Sequence, residues 1–489
     1  MSIELRTETL QHLPKSIETP EYDRSMLTAG IVHIGLGNFH RAHQAWYLHR
    51  LMQKGLALDW AIIGAGVRPG DGKMREKLLA QECLNTLIEL GPDGSSAEVT
   101  GAMIDFLPIQ EDNAALIATM SDPKIRIVSL TVTEGGYYQD VAGGLDVNHD
   151  DIQHDATTPE RPRTAFGAII AALKARRLAG AVPFTCQCCD NLQNNGAILR
   201  QTVVGLARLS DPDLADWIDS EGAFPNSMVD CIVPATGEKE LELVQSLGVS
   251  DLAPVTHENY RQWVIEDSFC AGRPPWEIIG ATLTHSVHSY ESMKIRILNA
   301  GHQVLANVGE ILGVPTIYAC MHDEQIAQFF DKVQTEGIVP YVDPVPEIAP
   351  EAYVHLIEKR FSNPAILDTT RRVAFDGSSR HMGFVLPILK EAIESGGSVS
   401  GLALVEALWA RMCAGEREDG SVIEPNDPQW DALNTAALQA RDRPTAWLEQ
   451  NWVYGTLADN AAFSDAFSNW LEMIWRDGAR AALTAYSKG

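Results

Sequence analysis

The sequence lacks the segments that direct a chain into a membrane or a secretion pathway. No uncharged apolar run reaches 18 residues, so a membrane-spanning helix is not expected. The opening MSIELRTETLQ does not follow the basic, apolar and small-residue order of a signal peptide. These two absences predict a cytoplasmic protein.

Cysteine is also sparse. Eight cysteines spread over 489 residues do not make a disulfide framework. Cys186 and Cys189 form a CxxC pair within TCQCCD, but no second pair has the spacing that a zinc site needs. We therefore expect no metal and interpret the stretch as a buried strand.

Basic residues are few relative to acidic ones. The 38 Lys and Arg stand against 65 Asp and Glu, which leaves a formal net charge of -27. A field of this sign repels nucleic acids and anionic lipids, so neither is an expected partner. A neutral small molecule is the ligand easiest to reconcile with this charge, whereas an anionic one would need local arginines.

The sequence does contain a regular order of elements. Strand-like runs such as IRIVSLTVTEGG and PFTCQCCD alternate with helix-like runs such as AFGAIIAALKARR up to about residue 285. Alternation of this kind predicts a largely parallel sheet covered by helices. Helical patterns follow one another after that point. We expect an α/β domain of the Rossmann type over residues 1–285 and a mainly α-helical domain over residues 286–489.

A glycine turn follows the first strand-like run of this α/β region. GIVHI is followed by GLGNFH (35–40), which offers two of the three glycines of a GxGxxG and opens a helix. Backbone N–H groups and the positive end of a helix in this position can receive a pyrophosphate. The residues expected at the cofactor are Gly35, Gly37, Asn38 and Phe39, with His40 in place of the third glycine.

The acid that would bind the adenosine ribose is expected after the second strand, DWAIIGAGV. Asp71 in GAGVRPGD occupies this position. Arg68 beside it would instead meet a 2′-phosphate, so we expect NAD and keep NADP as an alternative. The competing interpretation is a glycine turn with a surface aspartate and no nucleotide.

Polar residues interrupt the apolar stretch KIRILNAGH (294–302). On a regular α-helix, with Lys294 at 0°, His302 lies at about 80° and Asn299 at about 140°, so the three share one broad face. Lysine is among the residues least often fully buried, which makes a pure packing role unattractive. The alternative is that the Lys294 amine reaches solvent and that the other two are hydrogen-bonded core residues.

These residue types fit the dehydrogenation of a secondary alcohol. A base must remove the hydroxyl proton while hydride leaves for nicotinamide, and donors must hold the oxygen as it becomes a carbonyl. Lys294 would be the base, Asn299 and Asn191 the donors, and His302 would position an adjacent hydroxyl. A helical domain facing the strand ends of the nucleotide domain would bring these groups together.

Several longer motifs resemble the polyol-specific long-chain dehydrogenases, a family that includes mannitol and arabinitol dehydrogenases and the fructuronate and tagaturonate reductases. The motifs extend over essentially the whole chain, which makes them far more specific than the glycine turn alone. They are GLGNFHRAHQAWY, SLTVTEGGY, CDNLQNNG, FPNSMVD, ESMKIRILNAGH and FSNPAILDTTRRVAFDGSSR.

The resemblance implies a metal-independent, monomeric enzyme with a Rossmann-type domain followed by a helical domain. It assigns the base to Lys294 and the oxygen-stabilising amides to Asn191 and Asn299. It also implies a place for Glu134 in a proton path to solvent. The contacts to substrate hydroxyls would come from His302, Asp230, Arg372 and Arg380.

Two departures from the mannitol-enzyme pattern bear on the substrate. They are Arg296, two residues after Lys294, and HMGF at 381–384. We expect NAD-dependent oxidation of D-mannitol to D-fructose. A hexuronate reductase, whose substrate carboxylate Arg372, Arg380 and Arg296 could bind, is the alternative, as is a D-arabinitol or D-sorbitol dehydrogenase. A nucleotide-binding protein without catalysis is the remaining class.

Overall fold

The computed structural model describes residues 2–66, 68–140 and 143–488, without the side chains of Pro69 and Glu134. The chain divides into two units between His288 and Ser289. The limits expected from the sequence, 1–285 and 286–489, remain our proposal for the two functional domains.

A five-stranded, all-parallel sheet with the order β7-β4-β3-β8-β9 forms the centre of the first unit. Three smaller sheets among the described residues have the orders β12-β5-β6-β2, β10-β13-β14 and β1-β11. The strands are β1 Ile3–Glu4, β2 Ile17–Glu18, β3 Ala29–Ile34, β4 Ala61–Ala65, β5 Asn85–Gly91, β6 Gly94–Thr100, β7 Met103–Phe106, β8 Ile127–Leu130, β9 Thr185–Cys188, β10 Ser227–Asp230, β11 Val249–Ser250, β12 Val255–Glu258, β13 Gln262–Glu266 and β14 Thr282–Thr284.

Helices cover both faces of the five-stranded sheet. Val32 and Ile34 of β3 belong to a core shared with α6 and α7, whereas Ile31 belongs to a second core shared with α2. This division follows from the alternation of side chains along a strand. The helices of the first unit are α1 Asn38–Ala42, α2 Gln44–Gln53, α3 Gly72–Ala80, α4 Ala114–Ser121, α5 Asp150–Thr157, α6 Ala165–Leu178, α7 Asn195–Ser210, α8 Pro212–Glu221 and α9 Glu238–Ser246.

Two details differ from the simplest reading of the sequence. Two further strand-like runs of the α/β region, CLNTLIEL and SMVDCIVPA, contain the strands β5 and β10. These two strands pair in the smaller sheets, partly antiparallel, and not in the parallel sheet. The helix after the glycine turn is broken at His43, whose backbone is not helical. The strand predicted at TCQCCD is confirmed: β9 is buried along its length.

The second unit is helical in its described part. Its central helix, α18, is buried over most of its length and packs against α11 and α22. The helices are α10 His288–Met293, α11 Ala300–Leu312, α12 Ile317–Met321, α13 Glu324–Lys332, α14 Pro350–Phe361, α15 Thr370–Val373, α16 Gly377–Arg380, α17 Leu386–Ser395, α18 Ser400–Cys413, α19 Trp430–Ala440, α20 Thr445–Leu448, α21 Asn451–Tyr454, α22 Ala461–Asp477 and α23 Ala479–Lys488.

Three π-helical segments interrupt the described part of this unit, at Lys294–Asn299, Val333–Ile338 and His381–Val385. The fold class expected from the sequence, a Rossmann-type α/β domain followed by a helical one, is confirmed. No helix within the described ranges has the length and apolar character needed to cross a bilayer.

Candidate active site

The glycine turn joins β3 to α1 in the position expected from the sequence. Gly35 has a φ of +96°, and a Cβ there would lie 2.0 Å from the carbonyl oxygen of Thr131. Its N–H donates to the carbonyl of Ala65 at the end of β4. Glycine is therefore required at position 35 both by the backbone conformation and by the close approach of the loop after β8.

Gly37 differs from Gly35 in both respects. Its backbone is extended, with φ −80° and ψ 179°, and a Cβ there would meet no atom within 4 Å. Packing within the described protein therefore does not demand a glycine here. The open space lies at the start of α1, where a Rossmann fold brings its backbone close to a pyrophosphate.

Asn38 and Phe39 begin α1, and both have protein contacts. The Asn38 amide donates to the carbonyl of Pro234 and to the Thr236 hydroxyl, and its oxygen accepts from Arg41. What Asn38 offers to a ligand is therefore its backbone N–H, one of the first-turn groups that lack an intrahelical acceptor. The Phe39 ring stacks on His43, with 4.9 Å between ring centroids.

Two stacked histidines lie behind the turn, and the sequence reasoning missed this pair. The rings of His33 and His40 are nearly parallel, with centroids 3.4 Å apart. His33 contacts the Ser129 hydroxyl at 2.7 Å and the Thr131 hydroxyl at 2.9 Å. Burial lowers the pKa of His33 to about 3, so the ring is neutral near pH 7. The signal in the sequence was the seven-residue spacing of the two histidines across the turn.

Asp71 follows β4, the strand next to β3. Its carboxylate accepts from the backbone N–H of Arg68 at 3.0 Å. A Cβ on Gly66, directly after β4, would lie 2.5 Å from the Asp71 side chain, so Asp71 is packed against the end of the strand. Arg68 is exposed. Both residues lie where the sequence placed the group that selects between NAD and NADP.

The loop after β9 carries Asn191, which is exposed. Its neighbour Asp190 is buried and accepts from the N–H groups of Val132 and Thr133 and from the Tyr137 hydroxyl. The sequence reasoning did not single out Asp190, although it stands in the quoted motif CDNLQNNG. The carboxylate fixes the loop after β8 against the segment that holds Asn191.

Asp230 and Glu134 complete the candidates of the first unit. Asp230 is buried at the last position of β10, opposite Gln262 in the neighbouring strand. Glu134 begins a 3₁₀ turn that extends to Tyr137. Its side chain lies outside the described part of the structure. Thr133, immediately before it, has a φ of +68°, which is uncommon for a β-branched residue.

Lys294 and Asn299 are the first and last residues of a π-helix, so the angles expected for a regular α-helix are corrected here. The N–H of Ala300 is shared between the carbonyls of Ile295, five residues back, and Ile297, three residues back. Lys294 is 7% exposed and Asn299 is 9% exposed. The two polar side chains are therefore largely buried.

His302 lies one turn further on, in α11. Its ring stacks on Phe361 at 4.3 Å, and its Nε2 atom lies 3.8 Å from the carboxylate of Asp368. This buried Nε2 atom makes no hydrogen bond to any residue that the structure describes. Burial lowers the pKa of His302 to about 4, although the Asp368 carboxylate opposes the shift. A neutral imidazole with an unused nitrogen suits the binding of a hydroxyl group.

Two arginines of the second unit were expected at the substrate. Arg372 donates to both oxygens of Asp368, at 2.8 and 2.7 Å, and its side chain is 63% exposed. Arg380 donates to the carbonyl of Val373 at 2.8 Å and is half-buried. The pKa of His302 is lowered by the positive charge of both guanidinium groups, which places them near His302.

The direction of Arg296 is resolved by the structure. Its guanidinium contacts both carboxylate oxygens of Glu391 in α17 and the carbonyl oxygen of Tyr341. The same guanidinium holds the pKa of the Glu391 carboxyl below its usual range. Its charge is therefore compensated within the second unit.

The HMGF segment also has a structural explanation. His381 is fully buried, stacks on Trp409, and contacts the Glu406 carboxylate at 2.7 Å and the Asn307 amide at 3.0 Å. Glu406 in turn accepts from the Tyr454 hydroxyl at 2.7 Å. His381 thus belongs to a polar network inside the core and not to a surface that selects the substrate.

The parallel sheet, the glycine turn at β3 and the acid after β4 together define a Rossmann-type nucleotide-binding protein. A family model described as the mannitol dehydrogenase Rossmann domain matches residues 29–278, and one described as the mannitol dehydrogenase C-terminal domain matches residues 286–475. The chain belongs to the mannitol dehydrogenase family, and the resemblance found in its motifs is confirmed.

Similar proteins cover both units. A mannitol 2-dehydrogenase of Cereibacter sphaeroides is 54% identical over 97% of this chain and 99% of its own. The Pseudomonas fluorescens mannitol 2-dehydrogenase, solved with NAD and D-mannitol, matches with a TM-score of 0.88 at 38% identity over 99% of this chain and 100% of its own. A substrate-free D-sorbitol dehydrogenase matches with a TM-score of 0.90 at 34% identity over 98% of this chain and 100% of its own.

Proposed function

We propose that this protein catalyses the NAD-dependent oxidation of D-mannitol to D-fructose and the reverse reduction. The observation that carries the proposal is a polar series on one segment, the buried Lys294 and Asn299 and the half-buried His302 with its buried Nε2 atom. Within nine residues it supplies a base, a donor and a hydroxyl-binding nitrogen. The identity of 54% to a mannitol 2-dehydrogenase supports the substrate, and the neighbour solved with NAD and D-mannitol supports both substrate and cofactor.

The residues of the first unit fit NAD. The open space at Gly37 leaves room for a pyrophosphate beside the start of α1, and Asp71 stands at the end of β4 to accept from ribose hydroxyls. Phe39 flanks the same turn. When bound, NAD supplies the acceptor for the hydride that leaves the substrate carbon. An acid at this position favours NAD over NADP. Arg68 would instead bind a 2′-phosphate, so NADP is kept as the alternative cofactor.

The proton chemistry falls to Lys294 in this proposal. Its amine must be neutral to accept the hydroxyl proton. Asn299 donates to the substrate oxygen as negative charge develops there, and Asn191 is the second donor expected from the sequence. His302, neutral above about pH 4, binds an adjacent hydroxyl through Nε2. Glu134 passes the released proton towards solvent.

Three further residues bind the remaining substrate hydroxyls in this proposal. Asp230 accepts, and Arg372 and Arg380 donate. Arg372 already holds the Asp368 carboxylate and Arg296 holds Glu391, so two of the three arginines that a hexuronate reductase would use are compensated by acids. A neutral polyol therefore fits better than a hexuronate. D-Sorbitol remains a second candidate, because a D-sorbitol dehydrogenase shares the fold at a TM-score of 0.90.

We further propose a monomer in the cytoplasm, as the sequence predicts. Sedimentation equilibrium should give the mass of one chain, 53.5 kDa, across a hundredfold range of concentration. A mass of two chains or more would contradict the monomer.

Two experiments test the proposed activity. Purified protein should oxidise D-mannitol with NAD faster than D-sorbitol, D-arabinitol or any substrate with NADP. Strong reduction of fructuronate with no activity on polyols would overturn the polyol assignment. Lys294→Ala should remove turnover while NADH titration by fluorescence gives an unchanged dissociation constant, which also shows that the variant is folded. Unchanged turnover would overturn the role of Lys294 as base.

A further inference from the structure

The π-helix changes how Lys294 and Asn299 are arranged. Residues five apart on an α-helix point about 140° away from each other. A turn closed by i→i+5 hydrogen bonds contains roughly 4.4 residues, which reduces this angle to about 50°. Lys294 and Asn299 are five residues apart and bound the π-helix. Ideal π-helical geometry therefore predicts that the two side chains extend from the same side of the helix, one turn apart. In an α-helical segment the side chains of Lys294 and Asn299 would point in directions about 140° apart.

A glutamine from another segment holds this turn. The Nε2 atom of Gln334, in the second π-helix, donates to the carbonyl of Ile297 at 2.9 Å. Gln334 is fully buried, and its Oε1 atom makes no hydrogen bond to any residue in the described ranges. The amide is thus held by one polar contact, and that contact is made to the backbone of the turn between Lys294 and Asn299.

Gly301 gives Gln334 the space to reach the turn. A Cβ at position 301 would lie 2.4 Å from Gln334 Nε2 and 3.1 Å from the ring of Phe330. Any larger residue would have to move the Gln334 amide away from Ile297. Gly301 lies near the start of α11, where its backbone is helical and does not itself require glycine. The need for glycine at position 301 is therefore explained by the close approach of the Gln334 amide and not by the backbone conformation of Gly301.

We propose that Gln334 is a positioning residue that keeps the Lys294–Asn299 turn in its π-helical form and thereby aligns the base with the oxygen-binding amide. The inference rests on the proposed function of these two residues. π-Turns are rare and occur frequently at functional sites. Without the hydrogen bond from Gln334, the turn can relax towards α-helical geometry, which would rotate Asn299 by about 90° relative to Lys294.

Gln334→Met tests this directly. Methionine keeps the length of the side chain, removes the donor to Ile297 and also removes the oxygen that lacks a hydrogen bond, so the stability should change little. We expect kcat for mannitol oxidation to fall by about 10- to 100-fold, as misplacement of catalytic groups by about 1 Å commonly causes. The KM for mannitol and the dissociation constant of NADH should stay within about twofold.

A matched control comes from the same unit. The Asn434 amide donates to the carbonyl of Cys413 at 2.9 Å, away from the π-helix. Asn434→Leu also removes one amide-to-carbonyl bond and should leave kcat unchanged. If Asn434→Leu lowers kcat as much as Gln334→Met does, or if Gln334→Met lowers only the thermal midpoint, the positioning role is wrong.

A double-mutant cycle adds a second test. Gly301→Ala should lower kcat on its own, because its methyl group displaces the Gln334 amide. In the Gln334→Ala background the methyl group meets no amide and only its contact with the Phe330 ring remains, so Gly301→Ala should lower kcat much less than it does in the native background. Independent, multiplicative effects of the two substitutions would overturn the proposed contact.

The result for Lys294→Ala separates this inference from the proposed function. If Lys294→Ala keeps its turnover, the role of Lys294 fails, whatever Gln334→Met does. If Lys294→Ala is inactive and Gln334→Met retains full kcat, the inference about Gln334 alone is wrong. Loss of kcat in both variants, with NADH binding retained, is the expected result.

Discussion

Both carboxylate oxygens of Glu391 contact the guanidinium of Arg296, two residues beyond Lys294. The sequence left open whether Arg296 serves a charged substrate. The ion pair and the contact of Arg296 with the Tyr341 carbonyl compensate the positive charge without any ligand. The arginine that departs from the mannitol-enzyme pattern thereby acquires a structural role on the segment that carries the candidate base.

Glu391→Gln tests this role. The substitution keeps the shape of the side chain and removes its charge, so it should lower the free energy of unfolding by about 1 kcal/mol, the range of a partly exposed pair. Mannitol oxidation should persist, and fructuronate reduction should remain weak. Glu449→Gln, which weakens an exposed pair with Arg443, is the control and should leave the thermal midpoint unchanged. A strong fructuronate activity that disappears in Arg296→Met would contradict this interpretation.

Much of the fold could be predicted because it follows from local pattern. The alternation of apolar strands and helices predicts a parallel sheet, and the turn at Gly35 indicates the strand at which the cofactor is proposed to bind. The pairing partner of each strand cannot be predicted from local pattern. β5 and β10 have the same apolar character as the strands of the main sheet. β5 pairs with β6, which follows it directly, but its other neighbour β12 and the partner of β10, β13, lie further along the sequence.

The residue types of the candidate site can be proposed from the sequence, but the geometry of the turn that carries them cannot. The apolar pattern of KIRILNAGH fits an α-helix and a π-helix equally well. The contact from Gln334, 37 residues further along the chain, is tertiary information that no local pattern contains. The same holds for Asp190, whose carboxylate organises the loop after β8 through three hydrogen bonds.

His302 should act as a neutral group throughout the working pH range. Because its pKa is lowered to about 4, its ionisation cannot produce a change in rate between pH 6 and 9. We expect His302→Leu to lower kcat/KM for mannitol by about 100-fold, since a substrate hydroxyl would lose its partner. The shape of the pH profile should stay the same. If the variant loses the ionisation seen in the native enzyme, that ionisation belongs to His302 and not to Lys294.

Acidification should destabilise the protein through buried histidines. The pKa values are lowered by burial from 6.5 to about 3 for His33, His49 and His257 and to about 4 for His302. The unfolded chain therefore binds more protons below pH 6.5, so stability is present above that pH and is lost as pH falls towards 4 and 3. Each histidine contributes a slope of up to about 1.4 kcal/mol per pH unit.

Urea unfolding at pH 7, 6 and 5 measures this slope. His257→Gln should reduce it, because one buried imidazole no longer takes up a proton on unfolding. A free energy of unfolding that is constant over the three pH values would show that the histidines are not held neutral in the folded state.

A comparison of Gly35→Ala with Gly37→Ala distinguishes an effect on folding from an effect on cofactor binding. Gly35→Ala places a methyl group 2.0 Å from the Thr131 carbonyl on a backbone with φ +96°, so we expect a loss of about 2 kcal/mol or more in the free energy of unfolding. Gly37→Ala meets no atom within 4 Å and should keep its stability within about 0.5 kcal/mol.

Gly37→Ala, which should keep its stability, should instead weaken the binding of NADH. The added methyl group occupies the open space before α1, where the pyrophosphate is proposed to bind, so the dissociation constant of NADH should rise by about tenfold or more. Fluorescence titration of the two variants measures this beside their thermal unfolding. Normal NADH binding by Gly37→Ala would place the cofactor away from this turn, because a methyl group in van der Waals range of the pyrophosphate cannot be accommodated without a shift of the backbone.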